Sequence, residues 1–418
     1  MRRILSFAIL AIFCAQAGSA FAQEATAPVG DSDAVLPPTL TIMSAVARGK
    51  ELLAPVFVDF KKKEPGVKPL ASKNGLTAVA LAIWNKKNDS VKVVGGTRGA
   101  NYFTPDDGSP AVPIVTHAGS QTAFRDNDPE SVVVGTVQAD MVAITYKKKK
   151  MFAPRFSYYV PYNRELYSIE TLASGSDYLS GLIADAFAEL DEKNVVSRAF
   201  PGQPLTSVVD PYLIKSIAVI EHADGQIYED ENSEEALGRF LVKLALNKEN
   251  ALGTATSSAG ARGMVQFIPS TYKLMVAKRP DLELISDFAK GMADHNNAIK
   301  AEAAYLDMIL ADLPQEIRDK YLLDRGSAAP YIAAGYNGGS TRIKKAIAAW
   351  GDDWNKKHSK NSLKKETLNY VVKLNRVYGM IAAGFFATPN TPANTVPVAA
   401  ASTAGMVVIS TTPAATNP

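Results

Sequence analysis

Cysteine is nearly absent. Cys14 is the only one in 418 residues, so no disulfide forms within the chain and a packed core must hold the fold. An excess of one charge is missing too. The 45 Lys and Arg stand against 42 Asp and Glu, which leaves no overall basic field and no compositional support for nucleic-acid binding. No apolar stretch reaches the roughly 20 residues of a membrane-spanning helix. The four histidines, His117, His222, His295 and His358, show no HExxH spacing and no i,i+4 pair, so no helical metal site is expected. The acids of 229–235 lack an EF-hand loop pattern, because Gly225 precedes them, so calcium is not expected either. What remains is 47% hydrophobic and 21% charged, a globular balance that excludes a largely disordered chain. At roughly 150 residues per domain, the length suggests two to three domains.

The start reads as a targeting segment. Met1-Arg2-Arg3 precedes an apolar run from Ile4 to Ala15, and Ala20-Phe21-Ala22 supplies a small-x-small cleavage site before Gln23. This is the pattern of a secretory signal peptide over 1–22. Phe13, rather than a small residue, precedes Cys14, so no lipid anchor is expected. Cleavage would remove two arginines and no acid, leaving a formal charge of +1.

A linker rich in Ala, Pro, Asp and Ser follows over 23–38, and a charge-free Thr/Pro/Ala/Asn tail over 388–418 reads as disordered. Two regions of different character lie between. The first, an N-terminal module of unknown role over 39–200, mixes patterns. Ser44 to Phe60 looks helical, with Pro55 as a kink or interruption. Ala78 to Trp84 fits a helix or a buried strand. Val91–Val94, Val132–Val137 and Met141–Tyr146 read as three strands, with turn signals at Pro105, Asp106-Asp107-Gly108 and Pro110. Lys61–Lys63 and Lys147–Lys150 read as solvated turns, and Ser176 to Leu190 as an amphipathic helix. A mixed α/β or a β-sandwich-like module both fit. The second region, 201–387, is helical in pattern. Asp210-Pro211 is a cap and first-turn proline, Ser233-Glu234-Glu235 another start, and 295–310, 340–350 and 365–377 are amphipathic runs. The expected class is therefore α+β, with an all-α domain in second place.

One acid stands on the wrong face. In the helix from Pro211, Ile214, Ile217 and Ala218 stack in one apolar stripe that ends at Glu221. On the bare pattern, a helix-end glutamate pointing to water is the commoner arrangement. A carboxyl lining a cleft would instead be partly desolvated, with a raised pKa. That is what a glycosidic general acid needs. Two further stretches favour the cleft. Ser257-Ser258-Ala259-Gly260-Ala261-Arg262-Gly263-Met264-Val265-Gln266 opens with small residues and closes on an amide. Gly335-Tyr336-Asn337-Gly338-Gly339 reads as a tight turn carrying an aromatic and an amide. Such groups bind sugars in concave sites. Trp350 and Trp354 fit core packing better than a sugar platform.

Together these blocks resemble the soluble lytic transglycosylase catalytic domain, a goose-lysozyme-like family. Its pattern is a Glu ending a helix, then GAxGLMQ, then AYNxG, then ETxxYV. Here the blocks are Glu221, then Gly260–Gln266, then Gly335–Gly339 behind Ala334, then Glu366-Thr367-Leu368-Asn369-Tyr370-Val371. Asn297, Ile299, Tyr305 and Leu306 sit like the family's connecting helix. The resemblance covers about 210–376 and implies a lysozyme-like catalytic domain. It implies Glu221 as sole acid/base and Ser257 near the substrate's N-acetyl group. It places Gln266, Tyr336, Asn337 and Glu366 in the substrate cleft, with Met264 where the family packs a Leu beside it. Two departures stand out. His222 replaces the family's Ser, and 39 positions separate Glu221 from Gly260, where the family has about a dozen. The inserted segment, with Glu229, Asp230, Glu231 and a helix over 234–247, is expected as a lobe over the cleft.

The implied activity is cleavage of the MurNAc–GlcNAc β-1,4 bond of peptidoglycan glycan strands, with 1,6-anhydroMurNAc ends and without metal or cofactor. A periplasmic location without a membrane anchor goes with it. Two alternatives stand beside it. One is a hydrolytic muramidase, for which Asp224 is the nearest second carboxylate. The other is a non-catalytic glycan-binding scaffold, with the N-terminal module recruiting an envelope protein.

Overall fold

The computed structural model describes residues 40–62, 77–115, 123–124, 128–146, 149–222, 233–253, 255–257 and 259–385. The signal peptide, the linker over 23–38, His117, Asp224, the acids 229–231 and the tail lie outside the described residues.

The N-terminal region is mixed α/β. Helix α1 (Ile42–Lys62) contains Pro55 without ending there. The strands are β1 (Thr77–Asn85), β2 (Ser90–Arg98), β3 (Tyr102–Pro105), β4 (Val112–Val115), β5 (Ala123–Phe124), β6 (Ser131–Tyr146) and β7 (Lys149–Tyr159). They form one antiparallel sheet in the order β5-β4-β3-β2-β1-β6-β7. The segment that fitted helix or strand is β1. Its apolar run is continuous because both faces are covered. Ala80, Ala82 and Trp84 face α1 and the main core, whereas Val79, Leu81 and Ile83 join a separate cluster with Val94, Phe103 and Phe124. The β1–β6 pairing shifts register at Ala82/Ile83, where Val134 is the extra residue on β6.

Two expectations are corrected here. Val132–Val137 and Met141–Tyr146 are one strand, because pairing with β7 runs unbroken from Thr136 to Tyr146. Lys149 and Lys150 belong to β7 rather than to a turn. β7 is an edge strand, which tolerates Pro154.

The remainder is helical: α2 (Ile169–Glu192), α3 (Leu205–Val208), α4 (Pro211–Glu221), α5 (Ser233–Asn247), α6 (Pro269–Lys278), α7 (Phe288–Ala293), α8 (His295–Asp312), α9 (Gln315–Leu323), α10 (Arg325–Gly338), α11 (Ser340–Trp350) and α12 (Lys365–Ala382). Ser168 opens α2 with a capping box to Thr171. The inserted helix α5 is not a lobe over a cleft. Twelve of its 15 residues are buried, and it crosses α2 where Gly175 lies against the backbone of Leu241; a Cβ there would sit 2.0 Å from the Leu241 carbonyl oxygen. Asn247 at its end accepts from Val160 N (2.8 Å) and donates to Val160 O (3.1 Å), tying the helices to the exit of β7. One buried apolar cluster runs from Ala45 and Leu53 of α1 through β1 into α2, α5, α8 and α12. Among the described residues no helix is long and apolar enough to cross a membrane.

Candidate active site

The site is built on the end of α4. Asp210 caps this helix by accepting from Tyr212 N at 2.9 Å, with Pro211 in the first turn. Leu213, Ile214, Ile217, Ala218 and Ile220 are buried, so the helix is locked in the core up to its last residue, the half-buried Glu221. The Tyr370 hydroxyl on α12 donates to Glu221 Oε1 at 2.8 Å. Burial pushes the Glu221 carboxyl up to about 7. The Tyr370 hydrogen bond opposes this, the charge of Glu366 adds to it, and Lys373 pulls down. A carboxyl so placed gives or takes a proton near neutral pH.

His222 caps the C-terminus of α4 and points its ring at the small-residue loop. Its Nε2 lies 3.1 Å from Gly263 O and 2.9 Å from Met264 O. Burial, followed by the charge of Lys243, pushes the ring down to about 4. It is therefore neutral at pH 7, and because both partners are carbonyls, Nε2 carries the hydrogen. Phe240 of α5 stacks on the ring at 6.0 Å. The inserted helix thus backs the residue that fixes the loop.

The loop is shaped by Gly263, which has φ +74° and would place a Cβ 2.1 Å from Met292 O. Gln266 also adopts positive φ (+48°), and its Nε2 donates to Gly263 O at 2.8 Å. Met264 is fully buried. Ser257 is exposed and turns its own loop, accepting from Ala261 N at 3.1 Å.

The expected turn around Tyr336 is the last turn of α10, and the chain reverses only at Gly339 (φ +87°). Tyr336 donates to Val265 O at 2.5 Å and packs with Phe267 and Tyr305, with ring centres 5.4–5.9 Å apart. Asn337 accepts from the Thr367 hydroxyl at 2.8 Å, fastening α10 to α12. Glu366 is exposed one turn before Tyr370. The structure therefore brings Glu221, Gln266, Tyr336, Asn337 and Glu366 into one region. A cavity of about 420 Å³ beside Tyr305 is lined by Met308, Asp312, Gly339, Arg342 and Lys345, among others. Trp354 is buried and stacks on Tyr331 at 4.4 Å, whereas Trp350 is part-exposed against His358.

Two residues of this region were not singled out from sequence. Tyr370 was seen only within its block, and nothing in sequence shows which tyrosine reaches Glu221. Glu302 of α8 is completely buried, and neither carboxyl oxygen has a hydrogen-bond partner among the described residues. Its signal is the one that found Glu221: it lies on a stripe with Ala298, Ile299, Tyr305 and Leu306. Among the described residues no group of three or more His, Cys, Asp or Glu is placed to hold a metal ion.

Residues 232–359 match the family model for the transglycosylase SLT domain. The matched span contains the Gly263–Gln266 loop, α8 and the end of α10, and it stops short of Glu221 on one side and of Glu366 and Tyr370 on the other. No curated protein and no solved structure matches the chain.

Proposed function

Given that the chain carries a transglycosylase SLT domain, a family of peptidoglycan-cleaving domains, we propose that Glu221 is the single acid and base of its glycan-cleaving site. The observation that carries this reading is the half-buried carboxyl at the end of α4, raised to about 7 and held by Tyr370, against the loop and helix end of the matched span.

In this reading the bond cleaved is the β-1,4 link from MurNAc to GlcNAc. Protonated Glu221 donates to the bridging oxygen as the bond breaks. Positive charge develops at the MurNAc anomeric carbon, and the sugar's own N-acetyl group stabilises it. Glu221, now ionised, accepts the proton of the same sugar's 6-hydroxyl, whose oxygen closes on that carbon to give the 1,6-anhydro ring. Glu221 ends protonated, as it began, and no water is consumed. Burial favours the protonated form for the first step, and Tyr370 supports the ionised form for the second. Gln266, Tyr336, Asn337, Glu366 and Ser257 are assigned to the sugar-binding surface. The division into signal peptide, linker, N-terminal module, catalytic domain and tail, and the periplasmic setting it implies, belong to the same proposal.

The test is Glu221→Gln, which keeps shape and removes the acid. Release of soluble fragments from purified sacculi is expected to fall at least about 100-fold, with the circular-dichroism spectrum unchanged. Wild-type release by this variant would refute the assignment. Loss of release in a folded wild-type chain would leave the glycan-binding scaffold in its place.

A further inference from the structure

Glu302 is a buried acid with nothing to offset its burial. The other buried ionisable side chains on α8 are matched. Lys300 reaches Glu189 at 2.5 Å. Asp307 accepts from Arg198 N at 2.7 Å and from Ser197 Oγ. His295 meets Ala251 O at 2.6 Å and the Tyr178 hydroxyl at 3.0 Å. Between them Glu302 has no partner among the described residues for either oxygen. An unpaired carboxyl in an apolar interior opposes folding, and such breaches of local rules concentrate at functional sites.

Helices α4 and α10 pack against α8. Glu221 at the end of α4 acts on Glu302 through its charge. Tyr336 on α10 and Tyr370 on α12 both sense the charges of Glu302 and Glu221. Glu366 and Lys373 of α12 act on Glu221, and Tyr305 of α8 acts on Tyr336. The two tyrosine hydroxyls already donate, to Val265 O and to Glu221 Oε1. Their oxygens retain lone pairs that can accept.

We propose that Glu302 is a positioning residue of the glycan-cleaving site: a carboxylic acid kept neutral in the wall behind Glu221, whose O–H supports the Tyr336–Tyr370–Glu221 cluster when Glu221 ionises. The proposal rests on Glu221 being the acid. Two acids in one apolar site resist ionising together. Burial pushes Glu302 well above the usual carboxylate range, and the charge of Glu221 pushes it further. Glu302 therefore keeps its proton while Glu221 gives one to the bridging oxygen and recovers one from the 6-hydroxyl. A neutral acid of this kind is a hydrogen-bond donor where a carboxylate could only accept.

Two variants of the full chain separate the roles. Glu302→Gln keeps shape and an N–H donor; Glu302→Leu keeps bulk without one. The Glu221 carboxyl is titrated by ¹³C NMR in glutamate-labelled protein free of substrate, and the alkaline limb of fragment release is followed alongside. The expected result is a titration and limb about one pH unit higher in Glu302→Leu, tenfold in proton affinity, and close to wild type in Glu302→Gln. An infrared band of a protonated carboxyl at about pH 8.5, above the Glu221 ionisation, is expected in wild type and Glu221→Gln and absent from both Glu302 variants. A downward shift in both Glu302 variants would mean a charged Glu302 and overturn the proposal. No shift in either would mean packing alone and overturn it as well. The spectroscopic readings need no substrate, so they fail or hold separately from the Glu221 assignment, which the activity of Glu221→Gln decides.

Discussion

Replacing Tyr370 by Phe removes one oxygen and, with it, the 2.8 Å hydrogen bond to Glu221 Oε1. The ring stays where it is, because Tyr370 is 6% exposed and Phe fills the same space. A hydrogen bond to a charged acceptor contributes about 1.5–3 kcal/mol, and the ionised form of Glu221 accepts more strongly than the neutral acid. Loss of the bond therefore raises the carboxyl further. At 1.36 kcal/mol per pKa unit, the rise is about one to two units above the present value of about 7. Activity needs the protonated acid, so its alkaline limb should move up by the same amount. The rate on the acid side should fall roughly tenfold, because the carboxylate formed during bond breaking has lost its donor. Fragment release from sacculi over a pH series gives both numbers, and an unfolding curve confirms that the fold persists. An alkaline limb that stays put or moves down in Tyr370→Phe would refute the reasoning.

The other predictions concern stability and the loop. The Glu221 carboxyl is raised in the folded state, so the stability it allows is full below the unfolded pKa of about 4.5 and is lost as pH rises to about 7; the loss is about 3 kcal/mol. Urea unfolding of Glu221→Gln should show a margin over wild type that grows by about that much between about pH 5 and 8, and a constant margin would contradict a desolvated acid. His222 is depressed to about 4, so its contribution is present above about 6.5 and lost as pH falls. His222→Ala leaves Met264 O without its donor and Gly263 O with only Gln266, and should destabilise by about 1–3 kcal/mol at neutral pH, less on acidification, with fragment release abolished. Gly263→Ala adds a Cβ against Met292 O at a φ of +74°. It should lower the unfolding midpoint and remove activity together, whereas a full-strength Gly263→Ala enzyme would mean that the loop is not held as described.

Much of this site was legible before the fold, for identifiable reasons. Glu221 stood out because a strong stripe of Ile and Ala ran into it, and the helix start at Asp210-Pro211 set the register of that stripe. Glu302 carried the same signal more faintly, since its stripe is diluted by the alanines of α8 and its burial comes from packing against other helices. The turn read at Tyr336 was the end of α10, because the glycines at 335 and 338 sit in close helix contacts against Ile309 and Thr367. The role of α5 was misread because insertion length says nothing about burial. Its packing on α2 and the stacking of Phe240 on His222 are decided by residues far away in sequence. β7 was missed for a different reason: an edge strand with lysines, an arginine and a proline carries little pattern of its own and takes its conformation from pairing with β6.

The central claim is tested most directly by mass spectrometry of the muropeptides released from purified peptidoglycan by the chain and by its Glu221→Gln variant. The account predicts products lacking one water, with 1,6-anhydro ends, formed by the wild type and missing from the variant. Reducing ends in their place would make the enzyme a hydrolase, and anhydro products formed equally by the variant would contradict the role given to Glu221.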